Sequence, residues 1–454
     1  MGSTVYLETF GCQMNVADSE RADVRLRAAG FALSASPETA DVIIFNTCSV
    51  RERAAHKVLT RIGEVRRQRL GSEPVVGVMG CVAQLEGKTL FDNSPSVNLI
   101  VGTRATDRLP ELVNRALAGE RRVIDLDERA EGEKWDVPAT ARTSKHVAFV
   151  PIIEGCNKFC TYCIVPFSRG REKSRAADDI IAEINELHDH GFREIHLIGQ
   201  NVNSYRPTTA AGLEKFKGAT PFSRLLRAAA ATGMERIKFA TSFPRDFHPD
   251  IVAAIDEHDN LCEWIHLPVQ SGSDRVLRAM RRGHTSNDYL QRIAAIKNAR
   301  RPMAITSDII VGFPGETTAD FRETLRLVEQ VGYHALYIFN YSERRGTPAA
   351  KLDDDVSKSE KTARFLELEE TQHQLQQKIY EGYIGREIKV LVERPSSKSD
   401  QDMSGHSTCH KVVNFPGASS SPGDVVTVRV TEAKPNSLYG QVMPASSVSQ
   451  DCVQ

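Results

Sequence analysis

Cys156-Asn157-Lys158-Phe159-Cys160-Thr161-Tyr162-Cys163 sets three thiols at spacings of four and three residues, directly after the apolar run Val147 to Ile153. That run reads as a β-strand, so the thiols occupy a tight loop at a strand's carboxyl end. Three thiolates on one such loop can hold three irons of a [4Fe–4S] cluster and leave the fourth iron open. A structural zinc ion would need a fourth ligand, and neither flank supplies a His or Cys at usable spacing.

Outward from this loop the strand-like runs recur. Glu194 to Gly199, Arg236 to Thr241, Cys262 to Leu267, Ile305 to Gly312 and Ala335 to Asn340 are separated by helix-length polar or amphipathic segments. With the first run they make six β/α units, fewer than the eight that close a full barrel, which predicts an open, partial (β/α)6 barrel. Ligands of such folds gather at the carboxyl ends of the strands.

Upstream, three strand-turn-helix units precede the loop. Val5 to Phe10 runs into Gly11-Cys12, Asp41 to Phe45 into Asn46-Thr47-Cys48, and Val75 to Met79 into Gly80-Cys81. Near-continuous apolar strands alternating with helices predict a parallel sheet buried on both faces. The cysteines are 36 and 33 residues apart, about one strand plus its crossover helix, so each stands just past a strand end. In a parallel sheet those ends share one edge, where Cys12, Cys48 and Cys81 can converge.

Downstream, Ser357 to Tyr380 reads as a long amphipathic helix. The short strands Glu387 to Glu393, Lys411 to Phe415 and Val425 to Val430, with turns such as Pro422-Gly423-Asp424, then predict a small β-barrel. The Ser-rich end, Ala445 to Gln454, reads as disordered.

Length and composition agree with this order. The 454 residues suggest about three domains, and 41% apolar with 26% charged residues is an ordinary globular composition that excludes fibrous or disordered chains. The net charge of −1 gives no global basic field, so a nucleic-acid partner would be held by local patches. No run is long and apolar enough for a membrane span, and Met1 to Phe10 has no export pattern, which predicts a cytoplasmic protein. Nine cysteines in a reducing compartment argue for metal ligation over disulfides.

The thiol loop resembles the CxxxCxxC motif of the radical S-adenosylmethionine (SAM) enzymes. Gly11-Cys12-Gln13-Met14-Asn15, Glu154-Gly155-Cys156, Ile164-Val165-Pro166, Arg169-Gly170, Gly199-Gln200-Asn201-Val202-Asn203, Pro268-Val269-Gln270-Ser271-Gly272-Ser273 and Val311-Gly312-Phe313-Pro314-Gly315-Glu316-Thr317 extend the likeness to the methylthiotransferase family. Gln13-Met14-Asn15 and the C-terminal Val413-Asn414-Phe415 and Pro435-Asn436-Ser437-Leu438 look like its MiaB branch. The resemblance implies an α/β chain of three parts. Residues 3–119 would be an N-terminal domain with an auxiliary cluster, 142–377 a radical-SAM barrel, and 380–445 an all-β TRAM domain that binds RNA.

It further implies two [4Fe–4S] clusters, one on Cys156, Cys160 and Cys163 and one on Cys12, Cys48 and Cys81. The first cluster's open iron would chelate SAM, which one electron cleaves to a 5′-deoxyadenosyl radical. The substrate implied is a tRNA carrying N6-isopentenyladenosine beside the anticodon, converted to its 2-methylthio derivative. Partners implied are an electron donor such as flavodoxin or ferredoxin and a sulfur or cluster carrier. Sister enzymes acting on threonylcarbamoyl-adenosine or a ribosomal-protein aspartate are the alternatives within the family. A zinc-stabilised RNA-binding protein without catalysis is the alternative outside it.

Individual residues carry further expectations. Tyr162, between two thiols, is placed to pack on the cofactor, and Gln200 and Asn201, at a strand end, to grip its methionine moiety. Ser242 and Gln270 end the next strands on the same rim. Gly312 to Gly315 form a strand-end turn that lets backbone approach a ligand, or serve as turn structure alone. Asp308, inside an apolar strand, needs a partner if buried. Arg169, Arg171, Lys173 and Arg175, with Arg275, Arg278, Arg281 and Arg282, are basic clusters for RNA. From Tyr380 to Ala445 seven Lys/Arg balance seven Asp/Glu, so RNA binding there would rest on placed donors such as Arg429 and Lys434. Cys262 reads as a core thiol, Cys452 lies in the tail, and His406, Cys409 and His410 lack a fourth metal ligand.

Overall fold

The computed structural model describes residues 2–49, 53–68, 73–127, 135, 137–397, 399–417 and 420–444. The polar tail from Ala445, with Cys452, lies outside the described residues.

The first layer runs β1 (Thr4–Phe10), α1 (Gln13–Ala28), β2 (Ala32–Leu33), β3 (Val42–Thr47), α2 (Arg53–Gln68), β4 (Val75–Gly80), α3 (Cys81–Glu86), α4 (Thr89–Asn93), β5 (Leu99–Val101), α5 (Leu109–Leu117) and β6 (Val123–Asp125). The strands form one parallel sheet in the order β2-β1-β3-β4-β5-β6. On β3, Val42 and Ile44 pack with Leu26 of α1 and Leu112 of α5, whereas Ile43 and Phe45 pack with Val58 and Ile62 of α2. Burial on both faces is why Val42 to Phe45 of this strand are all apolar rather than alternating.

The second layer comprises β7 (Val147–Pro151), β8 (Ile153–Glu154), α6 (Val165–Arg169), β9 (Lys173–Ser174), α7 (Ala177–Asp189), β10 (Glu194–Ile198), α8 (Pro221–Ala230), β11 (Arg236–Phe239), α9 (Asp250–Glu257), β12 (Trp264–His266), α10 (Asp274–Ala279), α11 (Ser286–Lys297), β13 (Ala304–Val311), α12 (Thr318–Val331) and β14 (Ala335–Asn340). Parallel sheets β7-β10-β11 and β12-β13-β14 are joined by a parallel bridge between Ile237 and Leu261. The six expected strands are all present as an open barrel. Ile195, Leu197, Ile237 and Ile265 point outward into the helices' apolar core. The alternate positions Glu194, His196, Arg236, Lys238 and His266 are buried and polar, as the period of two in a strand requires.

Helix α13 (Lys358–Glu381), capped by Ser357, leads to the strands β15 (Glu387–Pro395), β16 (Asp402–Ser407), β17 (Val412–Pro416), β18 (Val425–Lys434) and β19 (Ser437–Val442). These close a barrel in the order β15-β16-β17-β19-β18. Two of its strands, β16 and β19, escape a sequence reading because Ser, Gly, His and Gln interrupt their apolar alternation.

The turn between β16 and β17 docks on the central barrel. Arg236 Nη2 donates to His406 O at 2.9 Å, Lys238 Nζ lies 3.3 Å from His410 Nδ1, and the His410 ring sits 5.0 Å from that of Trp264. Cys409 contacts the hydroxyls of Ser407 and Tyr383. His406 and His410 thus serve a domain contact, and Cys409 is held by neighbours of its own C-terminal unit. Among the described residues no helix is long and apolar enough to cross a membrane.

Candidate functional site

Strand register brings the N-terminal cysteines together. Phe10 pairs with Thr47 and Thr47 with Gly80, so β1, β3 and β4 end level with one another. Cys48 and Cys81 each follow one of these aligned residues directly, and Cys12 follows Phe10 by two. Neighbouring strands are about 4.8 Å apart, which sets the scale of the group. The β1/β3 pair is also where the strand order reverses, the position at which open α/β sheets bind ligands.

Small residues allow this crowding. A Cβ on Gly11 would stand 2.8 Å from Cys48 Cβ, and one on Gly80, at φ +91°, would stand 2.3 Å from Asn46 Oδ1. Behind the thiols, Asn15 Nδ2 donates to Asn46 Oδ1 at 3.0 Å, and Asn46 Nδ2 donates to Asn15 O and Ser19 Oγ. This buried amide pair fixes α1 against β3, with all named donors satisfied. Cys12 caps α1, a place that favours a thiolate. A hydrogen bond from Cys48 and the charge of Arg169 bring the thiol of Cys12, which is exposed, down to about 6 against a partial loss of hydration. Burial pushes the Cys81 thiol up.

The second trio sits on the loop between β8 and β9, whose pairing of Glu154 with Lys173 pins both ends. Cys156 N donates to Gly170 O at 3.0 Å and Cys163 N to Cys160 O at 3.0 Å, winding the loop tightly. Donors converge on its sulfurs. Asn201 Nδ2 lies 3.1 Å and Lys158 N 3.5 Å from Cys156 Sγ, and Arg282 Nη1 lies 3.5 Å from Cys160 Sγ. Burial and the neighbouring Cys160 push the Cys163 thiol up to about 12. Thiols so placed ionise when a cation replaces their protons, and donors aimed at sulfur then stabilise the bound thiolates. That donor set fits an iron–sulfur cluster. Among the described residues no group of three or more His, Cys, Asp or Glu is arranged to hold a single metal ion.

The two trios are linked by α6. It starts two residues after Cys163 and ends at Arg169, whose side chain crosses to the first layer. Arg169 Nε donates to Cys81 Sγ at 3.3 Å, Nη2 to Asp18 Oδ2 at 2.6 Å and Nη1 to Glu154 Oε1 at 3.3 Å. Further ties join the layers at this edge. Thr103 Oγ1 donates to Ser168 O at 2.7 Å, and Gln13 Nε2 lies 3.3 Å from His196 Nδ1.

The remaining rim residues divide. Gln200 Oε1 accepts from Gly155 N at 2.6 Å, which spends one amide atom on the loop, and Asn201 turns toward a sulfur. Tyr162 packs against Phe313 and Tyr341, with its hydroxyl 3.4 Å from Arg282 Nη1. The Ser242 hydroxyl is buried without a hydrogen-bond partner among the described residues, a place a bound ligand would fill. Gln270 is buried at φ +78°, and Thr241 and Phe159 also have positive φ, at +67° and +49°. Strained backbone at three loops of one rim is characteristic of a binding site.

Several sequence expectations are corrected. Arg169 and Arg282, read as RNA contacts, are buried at 3% and 4% exposure and hold the loops internally, because each has acceptors in distant segments. Arg175 is half-buried against Glu183, whereas Arg275, though paired with Asp320, stays exposed together with Arg171, Lys173, Arg278 and Arg281. Arg429 and Lys434 need no such correction: both stay exposed, the first paired with Glu387 and the second over the Tyr439 ring. Gly312 gives way to Lys361 of α13, whose Cγ would stand 2.3 Å from a Cβ there, so that turn packs against protein. Asp308 finds its partner in His266. Cys262 is a buried thiol on the approach to β12, as expected. Asn46 and Asp18, which sequence reading passes over, are fixed only by their partners' positions.

Three family models match the chain. Residues 4–102 match the uncharacterized protein family UPF0004, 150–328 the radical SAM superfamily and 381–443 the TRAM domain. The chain is 44% identical over 445 residues to the tRNA-2-methylthio-N(6)-dimethylallyladenosine synthase of Solibacter usitatus, covering 97% of this chain and 98% of that one. It is 44% identical to the protein of the same name from Alkalilimnicola ehrlichii, covering 98% of each. Among solved structures, the radical S-adenosylmethionine methyltransferase TsrM from Kitasatospora setae, with cobalamin and a [4Fe–4S] cluster bound, superposes with a TM-score of 0.56 at 13% identity. That likeness covers 77% of this chain and 74% of TsrM, and at such identity it is one of fold.

Proposed function

Because the chain belongs to the MiaB-type methylthiotransferases, a radical SAM family, we propose that Cys156, Cys160 and Cys163 hold one [4Fe–4S] cluster and Cys12, Cys48 and Cys81 a second. The protein is a tRNA-2-methylthio-N6-dimethylallyladenosine synthase, an enzyme that modifies tRNA. The observation that supports the two-cluster reading is the linkage of the trios through the five-residue α6 and the side chain of Arg169, which reaches Cys81. Five helical residues span about 7 Å.

The target carbon, C2 of an adenine, bears a hydrogen too weakly acidic for any side-chain base, so acid–base chemistry alone cannot install sulfur there. When bound, the clusters and SAM supply the radical chemistry and the sulfur that this replacement needs. The chain's own residues supply geometry. Asn201 and Arg282 direct donors at thiolates of the SAM-side loop. Ser242 and Gln270 offer the rim a free hydroxyl and a buried amide for SAM, Gln200 holds the loop's entry, and Tyr162 backs it. Exposed Arg171, Lys173, Arg278 and Arg281 are the donors for the tRNA backbone, together with the TRAM barrel.

In this reading residues 3–119, 142–377 and 380–445 are the auxiliary, radical-SAM and TRAM units of a cytoplasmic enzyme. It draws electrons from a flavodoxin- or ferredoxin-like donor and sulfur from a carrier. The test is mass spectrometry of nucleosides from cells lacking the gene. Loss of the 2-methylthio derivative with accumulation of N6-isopentenyladenosine is the expected result, and an unchanged nucleoside profile would contradict it.

A further inference from the structure

We infer that Arg169 is a positioning residue whose buried guanidinium, shared between Cys81 and Asp18, locks the N-terminal thiol trio against the second loop and sets how readily a cluster there accepts an electron. The inference rests on the two-cluster reading and deepens it.

Four of the five N–H groups of this side chain have identified acceptors. Nη1 and Nη2 take both oxygens of Asp18, at 3.2 and 2.6 Å, and Nη1 also reaches Glu154. An ion pair that served stability alone would be complete with these carboxylates. Nε instead points at Cys81 Sγ, 3.3 Å away, from a residue 88 positions further along the chain. The carbonyl of Arg169 is held in turn by Arg104 Nη2 at 2.8 Å. Gly170 closes the seat, since at φ +70° a Cβ there would fall 0.9 Å from Arg104 Nη2. Thus Arg169 is fixed from both domains, and Glu154 ties it to the strand that enters the second thiol loop.

The electrostatic consequence follows from charge. Accepting one electron adds one negative charge to a cluster. A guanidinium donating to a ligand sulfur in a buried site stabilises that added charge, and a carboxylate on the same guanidinium opposes it. Arg169 and Asp18 therefore act on the potential with opposite sign.

The test uses the full-length chain carrying Cys156→Ala, Cys160→Ala and Cys163→Ala, reconstituted anaerobically with iron and sulfide. Any cluster then belongs to Cys12, Cys48 and Cys81, and its midpoint potential is read by electron paramagnetic resonance during titration with a low-potential chemical reductant. In this background Arg169→Met is expected to lower the potential, Arg169→Lys to restore most of it, and Asp18→Asn to raise it. A loosened fold does not move two partners of one ion pair in opposite directions. If Arg169→Met holds no cluster, the sign of the Asp18→Asn shift decides. An unmoved potential in Arg169→Met, or a downward or absent shift in Asp18→Asn, overturns the inference alone. Absence of any cluster in the parent triple variant overturns the two-cluster reading and this inference with it.

Discussion

Asn201 Nδ2 donates to Cys156 Sγ at 3.1 Å, joining the end of β10 to the thiol loop that follows β8. The amide is 5% exposed, so in the folded protein this contact is shielded from water. A donor of this kind orients a ligand sulfur and supports its negative charge.

Asn201→Leu removes the donor while keeping similar bulk. Iron affinity of the Cys156 loop is expected to fall about 10- to 100-fold, the usual scale for loss of such an outer partner. Chelator competition, followed by the visible absorbance of the reconstituted protein, measures it. Unchanged retention of iron would show that the contact does not support the ligand.

The two trios are expected to separate by function. Cys156→Ala abolishes SAM cleavage, whereas Cys12→Ala retains cleavage and stops methylthio insertion, as read in anaerobic assays with substrate tRNA. The reconstituted parent should carry about eight iron and eight sulfide per chain, and each variant about half. Continued insertion by Cys12→Ala would refute a role for the N-terminal trio.

Arg142 joins the first layer to the barrel. Its fully buried guanidinium lies 3.2 Å from Glu20 and pairs with Glu183, while Glu20 also accepts from Thr143 N. Arg142→Ala leaves buried Glu20 without its cation and Glu183 with Arg175 alone, at an expected cost of about 3–5 kcal/mol. Urea unfolding monitored by circular dichroism should show the loss, and a change below about 1 kcal/mol would mean water reaches the site.

His334 gives stability a dependence on pH. Burial and the charges of Lys411 and Lys297 lower its pKa to about 3, and its Nδ1 accepts from Ile305 N at 3.2 Å, which requires the neutral ring. The unfolded chain, with the ordinary value of about 6.5, binds the proton more readily, so stability is full above that value and is lost as pH falls toward the folded pKa. Between pH 6.5 and 5 the loss is up to about 2 kcal/mol. Urea midpoints for the parent and His334→Asn at pH 7.5 and 5.0 should differ less in the variant. Equal losses would assign the dependence to other groups.

The linear chain carried most of the architecture. The apolar runs of β1, β3 and β4, the spacing of Cys12, Cys48 and Cys81, and the compact Cys156 loop are local patterns. Strand carboxyl ends in a parallel sheet fall on one edge whatever the neighbouring helices do. Partnership was the property that only the tertiary structure decided. Arg169 and Arg282 read as surface cations because nothing nearby in the chain neutralises them, and both are buried against sulfurs 88 and 122 residues away. The docking of His410 beside Lys238 joins residues 172 positions apart. Whether a charged side chain meets solvent or a buried acceptor depends on which distant segments the fold sets beside it, and local periodicity holds no record of that.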